Sequence, residues 1–270
     1  MRQLPQFLIP PPPAVSRPPA DSVAGRYVRS FLFERLVIGG LGVLLPVAVI
    51  FGDWGLFSGN PVPRDSLSAY YYSGMREWFV LTIGTTGFFL VAYKVTERNL
   101  DNALSLVGGL CALVIPIFPT GRTPAERNAG LPLTALQTLI GEHVVQIVHF
   151  VASAGFIVAL GGISILFSRR EKVRPDHGNR RSGQFWRTFH LACAGAIAAA
   201  SVWILVTLKL VDGPYWSLLA GETACALAFG TSWFAKGYEL RYLLGRTREA
   251  PEAQAEDADE LPGTALPTGP

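Results

Sequence analysis

The sequence predicts an all-α membrane protein, a bundle of six transmembrane helices with both termini in the cytoplasm. Half of the 270 residues are hydrophobic and only 16% are charged, whereas a soluble domain carries about a quarter charged residues. Six apolar runs approach the length that crosses a bilayer, about 17 to 25 residues. They cover residues 36–52, 78–93, 102–118, 144–167, 188–208 and 216–235.

The charged residues avoid these six runs. Of the 43 Asp, Glu, Lys and Arg residues, only Glu222 falls inside a run. An ionised side chain at mid-bilayer costs at least about 2.5 kcal/mol, so this segregation favours helices that cross lipid. The same composition excludes an ordinary soluble enzyme, and a net charge of only +3 excludes a nucleic-acid-binding module.

The Lys and Arg residues orient the predicted bundle, because cytoplasmic loops retain positive charge. Eighteen of the 23 basic residues lie before the first run, between the second and third, between the fourth and fifth, or after the sixth. The remaining connections hold Arg64, Arg76, Arg122, Arg127 and Lys209. The asymmetry predicts a multi-pass protein of the cytoplasmic membrane whose N-terminus and C-terminus both lie inside the cell.

One transmembrane domain is expected over residues 23–240. The tails, residues 1–22 and 241–270, are predicted to be disordered, since they hold 11 of the 20 prolines within their outermost 20 residues. Prolines also interrupt any signal-peptide core near the N-terminus, so the first run is its own insertion signal. Residues 23–35 are compatible with a short helix on the inner leaflet or with a plain linker.

Small residues within the runs predict close contacts between helices. Examples are Gly39 and Gly42 in the first run and Gly108 and Gly109 in the third. The three cysteines also fall within runs, so they are interpreted as small core residues and no disulfide is predicted.

The fourth run carries a stripe of polar residues. Its members, Glu142, Gln146, His149 and Ser153, follow i, i+4, i+7, i+11 spacing and therefore share one helical face. His149 lies about 9 Å inside the outer end of its run, at 1.5 Å per residue. Glu222 enters the sixth run to the same depth, so the two side chains are able to meet. In the alternative interpretation, both groups only fix helix packing.

A cluster of aromatic residues precedes the second run. Tyr70, Tyr71 and Tyr72 are followed by Arg76. Tyrosines favour the headgroup level, so an interfacial belt explains much of this cluster. An Arg at that position is also suited to clamp a phosphate or carboxylate group, or to pair with Glu222 deeper in the bundle.

The leading functional hypothesis is binding or passage of a small or lipidic ligand through an outward-facing polar cavity. Arg76 and the three tyrosines are placed at its mouth, with His149 and Glu222 within. One alternative is a membrane-embedded lipid-modifying enzyme that uses Glu222 or His149 as acid or base. The other is a structural or regulatory protein without a ligand. No catalytic residue, metal or cofactor is assigned, and membrane lipids are the expected partners.

Five motifs carry a resemblance to a known family. They are S-x-S-x-Y-Y-Y-x5-W-F at 66–79, D-N-x-L-S-x-x-G-G at 101–109, F-P-T at 118–120, H-F-x-x-S-A at 149–154 and E-x6-F-G-x-S-W-x-x-K-G at 222–237. Over about residues 35–240, the chain resembles bacterial six-span membrane proteins with a domain of unknown function, which are loosely similar to Frag and DRAM-type proteins. The resemblance implies the fold and the membrane location.

A more distant similarity is to the CREST membrane hydrolases, which implies three His and an Asp around zinc. The chain holds four His residues, at positions 143, 149, 177 and 190. Their spacing does not allow three of them to meet at one tetrahedral metal, and the seventh span of that family is missing. No zinc site is therefore expected.

Overall fold

The computed structural model describes residues 23–92, 99–173, 180–209 and 213–259, and within these ranges it contains helices and no strand. The α-helices are α1 Val23–Gly52, α2 Arg76–Ala92, α3 Leu100–Ile117, α4 Pro124–Asn128, α5 Ala135–Ile140, α6 Glu142–Val173, α7 Arg180–Lys209 and α8 Ser217–Asp259. A π-helical turn, Asp53–Ser58, follows α1, and a 3₁₀-helix, Ser68–Tyr72, precedes α2. The predicted all-α class is confirmed.

The six long helices form a closed ring in chain order. Helix α1 packs on α2, α2 on α3, α3 on α6, α6 on α7 and α7 on α8, and α8 returns to pack on α1. Helices α6 and α8 also touch across the ring. Two clusters of buried side chains fill the interior, one that includes Phe79 and Ile115 and one that includes Phe167, Phe229 and Trp233.

Among the described residues, four helical segments are long and apolar enough to cross a membrane. They are Arg29–Ser58, Leu100–Ile117, Glu142–Arg170 and Gln184–Leu208. Apolar side chains also cover the outside of the ring; Leu44, Val158 and Leu205 are 49%, 72% and 63% exposed. An outer surface of this kind suits lipid and not water. The architecture is therefore that of a membrane protein.

The two other predicted spans coincide with α2 and α8. Helix α2 has 17 described residues, and α8 carries Glu222 and a polar C-terminal half. Length and composition alone do not mark these two helices as membrane-crossing. That α2 and α8 also cross the membrane therefore stays a prediction.

Ion pairs join neighbouring segments at each end of the ring. The connection from α1 to α2 meets the one from α3 to α6 through an ion pair of Arg64 with Glu126, 2.7 Å long. We call this end of the ring the tyrosine end, because Tyr70 lies there. At the opposite end, Asp101 near the start of α3 pairs with Arg170 near the end of α6.

Glycines bring the helix backbones into direct contact, as the small residues in the runs predict. A methyl group on Gly39 of α1 would lie 2.3 Å from the backbone nitrogen of Phe234 on α8. One on Gly230 of α8 would lie 2.8 Å from the Gly39 carbonyl oxygen. Gly87 and Gly109 make a similar approach between α2 and α3. Close packing through small residues supplies much of the association energy of helices in lipid.

Two sequence-based boundaries differ from the structure. Residues 23–35 are neither a separate surface helix nor a linker, because they continue directly into α1. The segment predicted as a disordered tail from residue 241 is helical as far as Asp259, and its many Ala, Glu, Leu and Arg residues are strong helix formers. The predicted N-terminal tail, residues 1–22, lies outside the described residues.

Candidate functional site

A short segment of the first connection is buried inside the tyrosine end of the ring. We call residues 66–72 the inserted segment; its residues 66–71 are all buried. Buried backbone groups need hydrogen-bond partners, and the segment supplies some of its own. The Ser66 hydroxyl accepts from the Ala69 N–H at 3.1 Å, and Ser73, the residue that follows the segment, donates its hydroxyl to the Tyr70 carbonyl at 2.8 Å.

Helix α8 supplies partners for the start of the inserted segment. The Glu222 carboxylate accepts a hydrogen bond from the Leu67 N–H at 2.6 Å. One turn earlier on α8, the Leu219 N–H donates to the Asp65 carbonyl at 2.8 Å. Free N–H groups at a helix start favour an anionic partner. Glu222 therefore caps the 3₁₀-helix that opens at Ser68.

Helix α6 holds the same segment through His149. Its Nε2 lies 2.9 Å from the Ser68 hydroxyl, and its Nδ1 lies 2.8 Å from the Phe118 carbonyl and 3.3 Å from the Ile115 carbonyl. Carbonyl oxygens only accept, so Nδ1 carries the proton and Nε2 accepts from the Ser68 hydroxyl.

The local sequence of α3 explains why carbonyl groups are available to His149. In a helix, the Ile115 carbonyl would accept from the N–H four residues later. That position is Pro119, which has no N–H. The helix ends at Ile117, and the Phe118 carbonyl that follows is also without a helical partner. The F-P-T motif thus creates the acceptors that orient the imidazole ring.

The sequence-based pairing of His149 with Glu222 requires correction. Among the described residues, each side chain binds the inserted segment and not the other side chain. The predicted equal depth places both groups at the same level, but Leu67 and Ser68 lie between them. Two consecutive residues link the two, since the Ser68 hydroxyl contacts His149 and the Leu67 N–H contacts Glu222.

The three tyrosines have three different environments. Tyr70 is 1% exposed, and its hydroxyl oxygen accepts weakly from the Arg64 N–H at 3.4 Å. The Tyr72 hydroxyl donates to the Thr120 carbonyl at 2.6 Å and accepts from Gln137 at 2.7 Å. Burial raises the pKa of Tyr72 to about 12, so its phenol stays protonated.

Tyr71 is the partner of Arg76. The guanidinium group donates to the Tyr71 hydroxyl at 2.6 Å and lies 4.3 Å from the centre of its ring, a cation–π geometry. Arg76 itself is exposed. Its suggested pairing with Glu222 is therefore wrong, because Tyr71 holds the guanidinium group and Glu222 binds the Leu67 N–H.

Two residues that bind at the tyrosine end, Arg64 and Gln137, are not among the site residues predicted from the sequence. Arg64 binds Glu126 and also donates to the Tyr72 carbonyl at 3.3 Å. Gln137 is 1% exposed and reaches the Tyr72 hydroxyl from α5. The sequence does mark Glu126 and Gln137, because T-x-x-E at 123–126 and T-x-x-Q at 134–137 form the capping boxes that begin α4 and α5.

Arg122 forms a second bridge at the same end. Its side chain binds both carboxylate oxygens of Glu142, each at 3.1 Å, and donates to the Leu131 carbonyl. This bidentate contact anchors the second connection to the start of α6. Glu142 thus begins the predicted polar stripe, and Ser153 ends it on the wall of the cavity described next.

A narrow cavity of about 80 Å³ lies inside the ring, next to the inserted segment. It extends from Leu67 and Ser68 along α6 and α8 for about two turns, or roughly 10 Å. Apolar side chains make up most of the wall. The polar residues of its lining are Ser68, Thr82, Thr86, Ser153 and Glu222. Of the six predicted site residues, Glu222 alone lines the cavity, whereas His149 stands behind Ser68.

Comparison of the chain with protein-family models, curated proteins and solved structures finds no match. The resemblance to the six-span family therefore stays a prediction. Among the described residues, no group of three or more His, Cys, Asp and Glu side chains is arranged to hold a metal ion. The site is thus defined by its own geometry, a largely apolar cavity with one carboxylate and one serine–histidine pair at its end.

Proposed function

We propose that this chain is a six-span protein of the cytoplasmic membrane, with both termini inside, that binds one amphipathic lipidic molecule in the cavity. The observation that carries the ligand proposal is the cavity itself. Its walls are apolar along most of their length, and its polar groups include a carboxylate at one end. Sites for small molecules combine these features, a mainly apolar enclosure with few polar groups that fix orientation.

The topology rests on packing and charge together. Helix α2 packs between α1 and α3, and α8 packs between α1 and α7, so each has membrane-crossing helices on both sides. The carboxylate of Glu222 accepts a hydrogen bond from a backbone N–H group inside the ring, which lowers the cost of an acidic residue in a span. The five basic residues outside the cytoplasmic set lie in connections or at helix ends next to them, at the tyrosine end, which faces outward in this proposal.

The chemistry of the wall limits the class of ligand. Side chains such as Phe79, Ile83, Phe156 and Phe229 favour a hydrocarbon chain, because they offer it van der Waals contacts and offer a polar group no hydrogen bond. The carboxylate and hydroxyl groups near Ser68 favour a polar head able to form hydrogen bonds. An acyl lipid, with one chain in the cavity and its polar group near Ser68, satisfies both requirements.

Native mass spectrometry of the protein purified in a mild detergent tests this proposal. We expect the protein to keep a bound lipid after excess detergent and free lipid are removed. Fragmentation of that lipid should identify an acyl chain. A folded protein that retains no lipid would contradict the proposal.

One observation favours a structural role as the second candidate. His149 and Glu222 both hold the inserted segment, and polar contacts of this kind fix the packing of helices without any ligand. In that case, substitutions at either residue lower stability, and no lipid is retained by the unmodified protein.

A further inference from the structure

We propose that Ser68 is a nucleophile, that His149 is its general base, and that the pair cleaves the ester bond of an acyl lipid held in the cavity. This inference rests on the proposed function, because it needs an acyl lipid at that place. It adds a reaction to the binding site and names the bond that the site acts on.

The first support is the geometry of the pair. His149 Nε2 lies 2.9 Å from the Ser68 hydroxyl oxygen, within hydrogen-bond reach. A hydroxyl group is a weak nucleophile until a neighbouring base can take its proton. The carbonyls of Phe118 and Ile115 fix the imidazole with the proton on Nδ1, which leaves Nε2 free to act as that base. Nucleophile, base and an orienting third group are therefore all present.

The second support is the position of Ser68 on the cavity wall. Ser68 lines the cavity, together with the apolar residues that favour a hydrocarbon chain, and His149 lies behind it, 1% exposed. A chain that fills the cavity would bring its carboxyl end to this wall. The hydroxyl group lies on the cavity side of the base, so an ester would meet it first.

The third support is a backbone donor beside the nucleophile. The N–H group of Leu67 points to an anionic oxygen, which in this structure belongs to Glu222. Acyl transfer places negative charge on the carbonyl oxygen of the substrate, and backbone N–H groups are effective stabilisers of that charge. In the proposed reaction, the carbonyl oxygen replaces the Glu222 carboxylate as the acceptor of this N–H group.

The reaction balances with water as the second reactant. The Ser68 oxygen bonds to the ester carbon while its proton passes to His149 Nε2. The bond between that carbon and the alcohol oxygen then breaks, and His149 returns the proton to the leaving alcohol. Water attacks the acyl-serine, gives a proton to His149, and releases the fatty acid as the proton returns to Ser68. No electron is gained or lost overall.

A long-chain alkyl fluorophosphonate, which phosphonylates activated serines, is the probe for this proposal. The full-length protein in detergent micelles is incubated with the probe, and peptide mass spectrometry locates the adduct. We expect the adduct on Ser68 of the unmodified chain, a readout that needs no variant to fold. The same protein should release fatty acid from a p-nitrophenyl acyl ester.

Two variants distinguish activation of Ser68 by His149 from labelling that needs only an accessible Ser68 hydroxyl. The change His149→Asn keeps a donor toward the Phe118 carbonyl but removes the acceptor for the Ser68 proton, so labelling should slow about 100-fold or more. Ser164→Ala is the matched control, since Ser164 is buried on the same helix as His149 and, among the described residues, its hydroxyl has no hydrogen-bond partner to lose. It should be labelled on Ser68 at the unmodified rate.

Two results would overturn the inference. One is a folded, lipid-retaining protein that is not labelled; lipid binding then stands and the reaction falls. The other is labelling of Ser68 that proceeds equally fast in His149→Asn, since the histidine is then not the base. Loss of lipid retention itself would overturn the proposed function as well, so the two failures are distinguishable.

Discussion

Glu222 of α8 accepts a hydrogen bond from the backbone N–H of Leu67, 155 positions earlier in the chain, over a distance of 2.6 Å. The contact joins the one charged residue of the predicted apolar runs to the inserted segment. It gives a physical reason for an acidic residue at that depth, because the buried start of a 3₁₀-helix needs an acceptor.

Removal of the Glu222 carboxylate should weaken the inserted segment. In Glu222→Ala, the N–H group of Leu67 loses its acceptor, which costs about 1 to 3 kcal/mol for a buried group left unsatisfied. In Glu222→Gln, the amide oxygen still accepts, so most of the stability should remain. Thermal unfolding in detergent, with hydrogen exchange of residues 66–72, measures the difference.

The neighbouring residue provides a control for that experiment. Among the described residues, the buried Thr223 hydroxyl has no hydrogen-bond partner. Thr223→Val should therefore leave the melting temperature unchanged or raise it slightly. If Glu222→Ala were as stable as Thr223→Val, Glu222 would not be the anchor of the segment.

The sequence predicts the helices well and the inserted segment poorly. Charge segregation locates all six helices, because the cost of burying a charge in lipid acts on every residue of a run. The inward stripe that contains His149 follows from helical spacing alone. The 3₁₀-helix at Ser68 is too short for any periodicity, and its partners come from distant helices. Tyr70 therefore resembles an interfacial tyrosine in the sequence but is buried in the structure.

Contact between α1 and α8 should fail when Gly39 gains a side chain. In Gly39→Ala, the new methyl group would lie 2.3 Å from the Phe234 backbone nitrogen. Overpacking against backbone costs about 1 to 3 kcal/mol or more, which should lower the melting temperature. A methyl group on Gly40 meets no atom within 4 Å, and Gly40→Ala should be neutral or stabilising. Equal melting temperatures for the two variants would contradict the close approach.

The orientation of the bundle has its own test. A reporter fused after Arg127 should be exported, and one fused after Arg174 should stay in the cytoplasm, because the basic residues concentrate on the cytoplasmic side. Alkaline phosphatase activity and green fluorescence distinguish the two locations in cells. The reverse pattern would invert the proposed topology.

Removal of the Tyr72 hydroxyl should lower the free energy of unfolding more than removal of an exposed tyrosine hydroxyl. Tyr72→Phe removes the acceptor for Gln137 and the donor for the Thr120 carbonyl, at a cost of about 1 to 3 kcal/mol. Tyr238 is 58% exposed, so Tyr238→Phe should change stability by less than about 0.5 kcal/mol. Thermal unfolding of both variants decides the point, and similar values would show that the Tyr72 network contributes little.

A substitution that fills the cavity with a side chain tests most directly the central claim that the cavity binds a lipid. Ile157 lines the cavity, whereas the adjacent Val158 is 72% exposed on the outside of the ring. Native mass spectrometry of Ile157→Trp should find no bound lipid, because the indole occupies the space of the acyl chain, and Val158→Trp should keep the lipid of the unmodified protein. Equal lipid retention by the two folded variants would contradict a ligand site in the cavity.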